Sequence, residues 1–134
     1  MKLLLDTHIL LWSLYGNDEI SQDVWKMIGD TSNDVYYSTA SIWEITIKHM
    51  AKPEKMLISG VELADKCNTV GFNMLPIIDN HVKYLETLRR KVNAKPHNDP
   101  FDRIMIAQAK AEEMKFVTHD SLIAGYEEDC IFSV

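Results

Sequence analysis

LLLDTHILLW, residues 3–12, is an apolar run broken by one acid and then resumed at a different spacing. Met1 to Leu5 is short and apolar and ends at Asp6. Beyond Thr7 the apolar positions Ile9, Leu10, Leu11 and Leu14 follow a helical period. The stretch reads as a buried strand that stops at a carboxylate and passes into a helix. The same passage recurs along the chain. Val35 to Ser38 is a β-branched and aromatic strand, and Thr39 offers an N-cap for a helix carrying Ile42, Trp43, Ile45 and Ile47 that ends before Pro53. Pro100 suits the first turn of a helix running to about Met114, and Phe116 to Thr118 is a strand that leads to Asp120.

The segments between complete the alternation. Ser21 caps a short helix through Ile28, with Gly29 as its stop. Residues 60–70 read as a helix with Val61, Leu63, Ala64, Cys67 and Val70 as its apolar positions and Gly71 as terminator. Phe72 to Ile77 contains Pro76 and reads as an edge strand. Asp79 caps a further helix with Val82, Leu85 and Leu88 on one face and Arg89, Arg90 and Lys91 near its end. Strands alternating with helices indicate the α/β class, a parallel sheet with helices on both faces.

At 134 residues, with 46% hydrophobic side chains, the chain is expected to form one domain over residues 1–134 with a real core. Fourteen basic against twenty acidic residues leave a formal charge of −6, which argues against nucleic-acid binding by bulk positive field. Acids gathered around bound cations would lower the charge a polyanion meets. Two cysteines are too few for a disulfide scaffold, and no secretory signal is read, so a cytoplasmic location is expected. No apolar run approaches the roughly 20 residues that span a bilayer, so no membrane association is expected.

In an open α/β sheet the ligand site lies outside the carboxyl ends of the strands. Asp6 and Asp120 follow strands there. Glu44 sits in the first turns of the helix after the second strand, and Asp102 opens the helix before the last strand. Carboxylates held together repel unless cations separate them, and the chemistry that uses them so is divalent-metal phosphoryl transfer, with Mg²⁺ or Mn²⁺ favoured over zinc in the absence of thiolates or paired histidines. Each acid also has a plain structural reading. Asp6 can cap the helix that follows, Glu44 can be a solvated helix residue, Asp99 and Asp102 can be N-terminal helix acids, and Asp120 can close a turn.

The strings LLLDTHILLW (3–12), STASIWEITIK (38–48), HNDPFDRIMIAQA (97–109) and FVTHD (116–120) together resemble the PIN domain, most closely the VapC-type toxin ribonucleases of type II toxin–antitoxin systems. The resemblance spans essentially the whole chain. It implies an αβα sandwich around a parallel sheet of four to five strands and a metal-dependent endoribonuclease using Mg²⁺ or Mn²⁺. The family's acidic quartet falls on Asp6, Glu44, Asp102 and Asp120, as metal-holding and catalytic residues. Asp99 is an additional acid near the metals, ranked below the four. Thr7, Ser38 and Thr118 match small hydroxyl positions that orient a carboxylate or a water. The partners implied are an RNA substrate, a cognate antitoxin and a second copy of the chain in a homodimer. His8 stands where the family often has Asn.

The residues also admit two other functions. A haloacid dehalogenase-like phosphatase also places a nucleophilic Asp after its first strand, but its second Asp would fall at His8. A non-catalytic module would keep the fold and bind RNA or protein. Among other residues, the five histidines show no common metal spacing, although His97 and His119 lie beside the site. Lys83, Arg89, Arg90, Lys91 and Lys95 form either a polyanion-facing patch or a solvated helix face. Trp12, Trp25 and Trp43 read as core or interface, Arg103 as a structural partner, and Cys67 and Cys130 as buried small hydrophobes.

Overall fold

Strand β1 (Lys2–Leu5) occupies the centre of a five-stranded parallel sheet in the computed structural model, which describes residues 1–134. Its leucines 3, 4 and 5 are fully buried, as a strand covered on both faces requires. On one side β1 pairs with β2 (Asp34–Ser38), which pairs with β3 (Asn73–Leu75) at the edge. On the other it pairs with β4 (Lys115–Thr118), which pairs with β5 (Ile131–Ser133) at the opposite edge. The order β3-β2-β1-β4-β5 means that the chain winds outward in one direction and then in the other. The reversal opens a crevice at the carboxyl ends of β1 and β4.

Six helices cover the sheet: α1 (Thr7–Tyr15), α2 (Gln22–Gly29), α3 (Thr39–Ala51), α4 (Gly60–Thr69), α5 (Asp79–Tyr84) and α6 (Pro100–Ala111). Alternation along the strands divides the core in two. Leu4 and Phe116 pack with Met105, Ile106 and Ala109 of α6, whereas Leu3, Leu5 and Val117 pack with Ile9 and Leu10 of α1, Ile45 of α3 and Leu63 of α4. The result is a helix–sheet–helix sandwich, the α/β architecture expected, with five strands where four to five were expected. Helices α3 and α4 approach closely at Gly60, where a Cβ would meet Thr46 Oγ1 at 1.8 Å and the Ile42 carbonyl at 3.0 Å.

Several local readings need correction. The cap of α3 is Ser38, whose hydroxyl accepts from Ala40 N at 3.0 Å, and Thr39 is the first helical residue. Asp79 is likewise the first residue of α5, not its cap; the preceding amide of Ile78 donates to Nδ1 of the buried His81 instead. Helix α5 is short and passes into a 3₁₀ turn, Leu85–Thr87. Val61, Val70 and Val82 are exposed, so α4 buries only the narrower stripe of Leu63 and Cys67.

Candidate functional site

Asp6 stands at the end of β1 and performs two tasks. Its Oδ1 accepts from Ile9 N at 2.9 Å, capping α1, and its Oδ2 accepts from the Thr118 hydroxyl at the end of β4. One side chain therefore both caps α1 and joins the ends of β1 and β4. Asp6 N donates to Val117 O at 3.0 Å, continuing the β1–β4 ladder to the rim of the crevice. The Thr118 hydroxyl also accepts from Asp120 N at 3.1 Å, so one threonine ties the two strand-end acids together. Asp120 Oδ1 accepts from Leu122 N at 2.8 Å, which leaves Oδ2 without a hydrogen bond.

Glu44 arrives from α3 and is buried. The Thr7 hydroxyl donates to its Oε1 at 2.8 Å, and Lys48, one turn along the helix, lies 2.7 Å from its Oε2. Asp102 arrives from the first turn of α6. Its backbone amide donates to Oδ1 of Asp99, the N-cap of that helix, at 2.9 Å. Burial, and then the negative charges of Asp99, Glu44, Asp6 and Asp120, push the Asp102 carboxyl up to about 7. Burial also raises Asp6, against the opposing hydrogen bonds from Ile9 and Thr118. Four acids thus add their charge to the effect of burial at Asp102.

The tightest grouping is different from the expected quartet. Donor atoms of His97, Asp102 and Asp120 all lie within 4.8 Å of one another, while Asp6 and Glu44 stand outside that group. His97 is 7% exposed; its Nε2 is 3.2 Å from Asp102 Oδ2 and its Nδ1 is 2.7 Å from the Tyr126 hydroxyl. Burial lowers its pKa, in part opposed by Asp120 and Asp99. Its position five residues before Asp102 is the one signal in the sequence, and no ligand spacing marks it. The group is a three-donor cluster capable of holding a cation, built from two carboxylates and one imidazole. The cysteines take no part, since Cys67 and Cys130 lie in the two halves of the core.

A model of the PIN domain matches residues 3–128. The chain belongs to the PIN domain family. No curated protein matches the sequence. Among solved structures, this PIN domain is similar to DNA-bound VapBC from Salmonella typhimurium, with 16% identity, 99% of this chain and 98% of that one covered, and a TM-score of 0.67. It is also similar to VapBC2 from Rickettsia felis bound to a DNA fragment from its promoter (15% identity, 90% and 89% covered, TM-score 0.63). A toxin–antitoxin complex from Klebsiella pneumoniae matches at 16% identity over 98% and 99% of the two chains, with a TM-score of 0.61. At these identities the likeness is one of fold.

The remaining expected residues of the PIN domain sort by their partners. Thr7 and Thr118 each donate to a carboxylate, Glu44 and Asp6 respectively. Ser38 does not; its hydroxyl caps α3 and donates to Gln108 Oε1 at 2.5 Å, joining β2 to α6. Arg103 donates to the Tyr126 hydroxyl at 2.9 Å, the structural role expected. Arg90 leaves the basic patch altogether. Its guanidinium lies 4.6 Å from the Tyr126 ring centroid and donates to the carbonyls of Leu122 and Lys95. Trp43, read as core or interface, is not core: it is 57% exposed and packs edge-on against Phe101, next to Asp102, at 5.0 Å between centroids. Trp12 is partly buried and stacks on exposed His8, with His119 edge-on to it.

Proposed function

We propose that this PIN domain, spanning residues 1–134, is a metal-dependent endoribonuclease, the toxin of a type II toxin–antitoxin pair. The observation that supports it is the grouping of Asp102 and Asp120 with His97 within 4.8 Å, together with the Asp102 carboxyl, which burial first and then the negative charges of Asp99, Glu44, Asp6 and Asp120 push up to about 7. Like charges at that density call for a divalent cation, and an oxygen-rich donor set suits Mg²⁺ or Mn²⁺. When bound, such an ion supplies Lewis-acid activation of water and neutralises charge at the scissile phosphate.

The chain's residues divide the rest of the work. Asp6, Glu44, Asp102 and Asp120 hold the cation site, and Asp99 adds negative charge beside it while fixing the first turn of α6. Thr118 orients Asp6, and Thr7 orients Glu44. Oδ1 of Asp102 and Oδ2 of Asp120 make no hydrogen bond within the protein and are the acceptors assigned to the proton of the attacking water. Water attacks phosphorus, the P–O3′ bond breaks and a proton returns to the leaving oxygen, giving a 5′-phosphate and a 3′-hydroxyl. No enzyme-bound covalent intermediate is needed. The exposed face of Trp43, beside Glu44 and against Phe101, suits a base of single-stranded RNA.

The similar folds come from toxin–antitoxin complexes, which supports an antitoxin as partner. A basic side chain from it can occupy the acidic crevice. A homodimer and a cytoplasmic location complete the reading; no helix is long and apolar enough to cross a membrane. The test is cleavage of total RNA by purified, antitoxin-free protein. Cleavage that requires Mg²⁺ or Mn²⁺ and is lost in folded Asp6→Asn and Glu44→Gln is the expected result. Equal cleavage in excess EDTA overturns the metal mechanism. No divalent-ion binding at millimolar concentration would favour a non-catalytic binding module, and an acyl-phosphate trapped on Asp6 would favour the phosphatase.

A further inference from the structure

His97 lies in the loop before α6, and the fold takes unusual care of it. A buried imidazole needs partners for both ring nitrogens. Nδ1 meets the Tyr126 hydroxyl at 2.7 Å, and that hydroxyl is itself fixed by Arg103 Nη1, which donates to it at 2.9 Å. Tyr126 is 2% exposed and has the Arg90 guanidinium against its ring. The imidazole is therefore locked from behind, with Nε2 turned toward Asp102 and Asp120.

Resting on the reading that this crevice binds a divalent ion, we propose that His97 Nε2 is a nitrogen ligand of that ion beside Asp102 and Asp120, and that it biases the site toward Mn²⁺ over Mg²⁺. The hydrogen-bond network accommodates both states of the ring. Without an ion, Tyr126 donates to Nδ1 and Nε2–H donates to Asp102 Oδ2 at 3.2 Å. With an ion, the proton resides on Nδ1 and Tyr126 accepts it. The tyrosine then turns its own proton to the His97 carbonyl, 3.4 Å away. Nε2 is left with a free lone pair. A ligating histidine characteristically donates its other ring N–H in this way.

The spacing agrees. Neighbouring donors of an octahedral ion with bonds of about 2.1 Å lie about 3 Å apart, close to the separation of Nε2 and Oδ2. A hydrogen-bond clamp on Asp102 alone gives no reason for Asp120 to share the group, yet all three donor atoms lie within 4.8 Å. Imidazole binds Mn²⁺ better than the harder Mg²⁺, hence the bias.

Electron spin-echo spectroscopy of the full-length protein loaded with Mn²⁺ decides the matter, because a directly bound imidazole imprints ¹⁴N modulation on the Mn²⁺ signal. The wild type is expected to show it. Folded His97→Asn is expected to lose it while still binding Mn²⁺, with the Mn²⁺ dissociation constant raised at least ~10-fold and Mg²⁺ affinity changed less. Bound Mn²⁺ without modulation in the wild type, or modulation that survives in folded His97→Asn, overturns the proposal and leaves the metal reading intact. Failure of the wild type to bind Mn²⁺ overturns both. If His97→Asn does not fold, His8→Ala and His119→Ala assign the signal, since modulation retained in both excludes the other two histidines beside the pocket and modulation lost in either overturns the proposal.

Discussion

The Thr7 hydroxyl donates to Glu44 Oε1 at 2.8 Å, so the first residue of α1 holds an acid that belongs to α3. Ser41 Oγ lies 2.9 Å from the same hydroxyl, which makes Thr7 the buried joint between the two helices. Thr7→Val keeps the volume and removes the donor. It is expected to lower Mn²⁺ affinity and RNA cleavage by roughly 10–100-fold, the usual effect of losing a group that orients a ligand. Thr7→Ser restores the hydroxyl and is expected to stay near wild type. Calorimetric Mn²⁺ titration of the pair separates positioning from general loss of packing.

Asp102 makes the ion-free protein sensitive to pH. Its folded pKa of about 7 lies above the ordinary 3.8, so between these values the folded chain binds more protons than the unfolded one. The stabilisation from this proton is fully present below about pH 4 and is lost as pH rises through about 7. In EDTA the melting temperature is expected to fall between pH 5 and pH 8, with Asp6 acting in the same direction because burial raises it too. Asp102→Asn should flatten that slope. Millimolar Mn²⁺ should raise the melting temperature most at pH 8, where the carboxylates are ionised and free to bind.

The strand-end acids are legible in the sequence because each marks a change of period. Asp6 closes the leucines of β1, and Asp120 follows the short run of β4. The winding of a parallel sheet then brings them together without further information. The sequence places His97 beside the site but not its contact, because it lies in an irregular loop where no period fixes the ring; its Nδ1 meets the Tyr126 hydroxyl from a remote segment and its Nε2 meets Asp102. Ser38 and Thr39 are adjacent hydroxyls, and which one caps α3 depends on where β2 ends, not on residue type. Strand β5 leaves little trace because it is three residues long, at an edge, and largely exposed. The valines of α4 and α5 are apolar but face solvent, since a helix period marks a stripe without fixing its width.

Trp43 offers a test of the RNA reading that leaves the core untouched. Its side chain is exposed, and its contact is with Phe101, at the opening of α6. Stacking of a base on an aromatic face contributes about 1–3 kcal/mol. Trp43→Ala is therefore expected to raise KM for single-stranded RNA roughly tenfold or more, with kcat and melting temperature nearly unchanged. Steady-state kinetics on a short labelled RNA measures the split. A loss confined to kcat would place Trp43 in support of Glu44 rather than on the substrate.

Gly60 sets the distance between α3, which carries Glu44, and α4. An added Cβ would lie 1.8 Å from Thr46 Oγ1 and 3.0 Å from the Ile42 carbonyl. The threonine hydroxyl can move only by giving up its 2.7 Å bond to that same carbonyl, and the carbonyl belongs to the helix backbone. Gly60→Ala is expected to destabilise the fold by about 1–3 kcal/mol, seen as a melting temperature lower by roughly 3–12 °C. Combining it with Thr46→Ala removes the nearer obstacle but leaves the carbonyl contact. The double variant should be more stable than the sum of the two single effects predicts, without reaching wild type. Additive effects would mean that the helices separate freely and that Gly60 does not determine their approach.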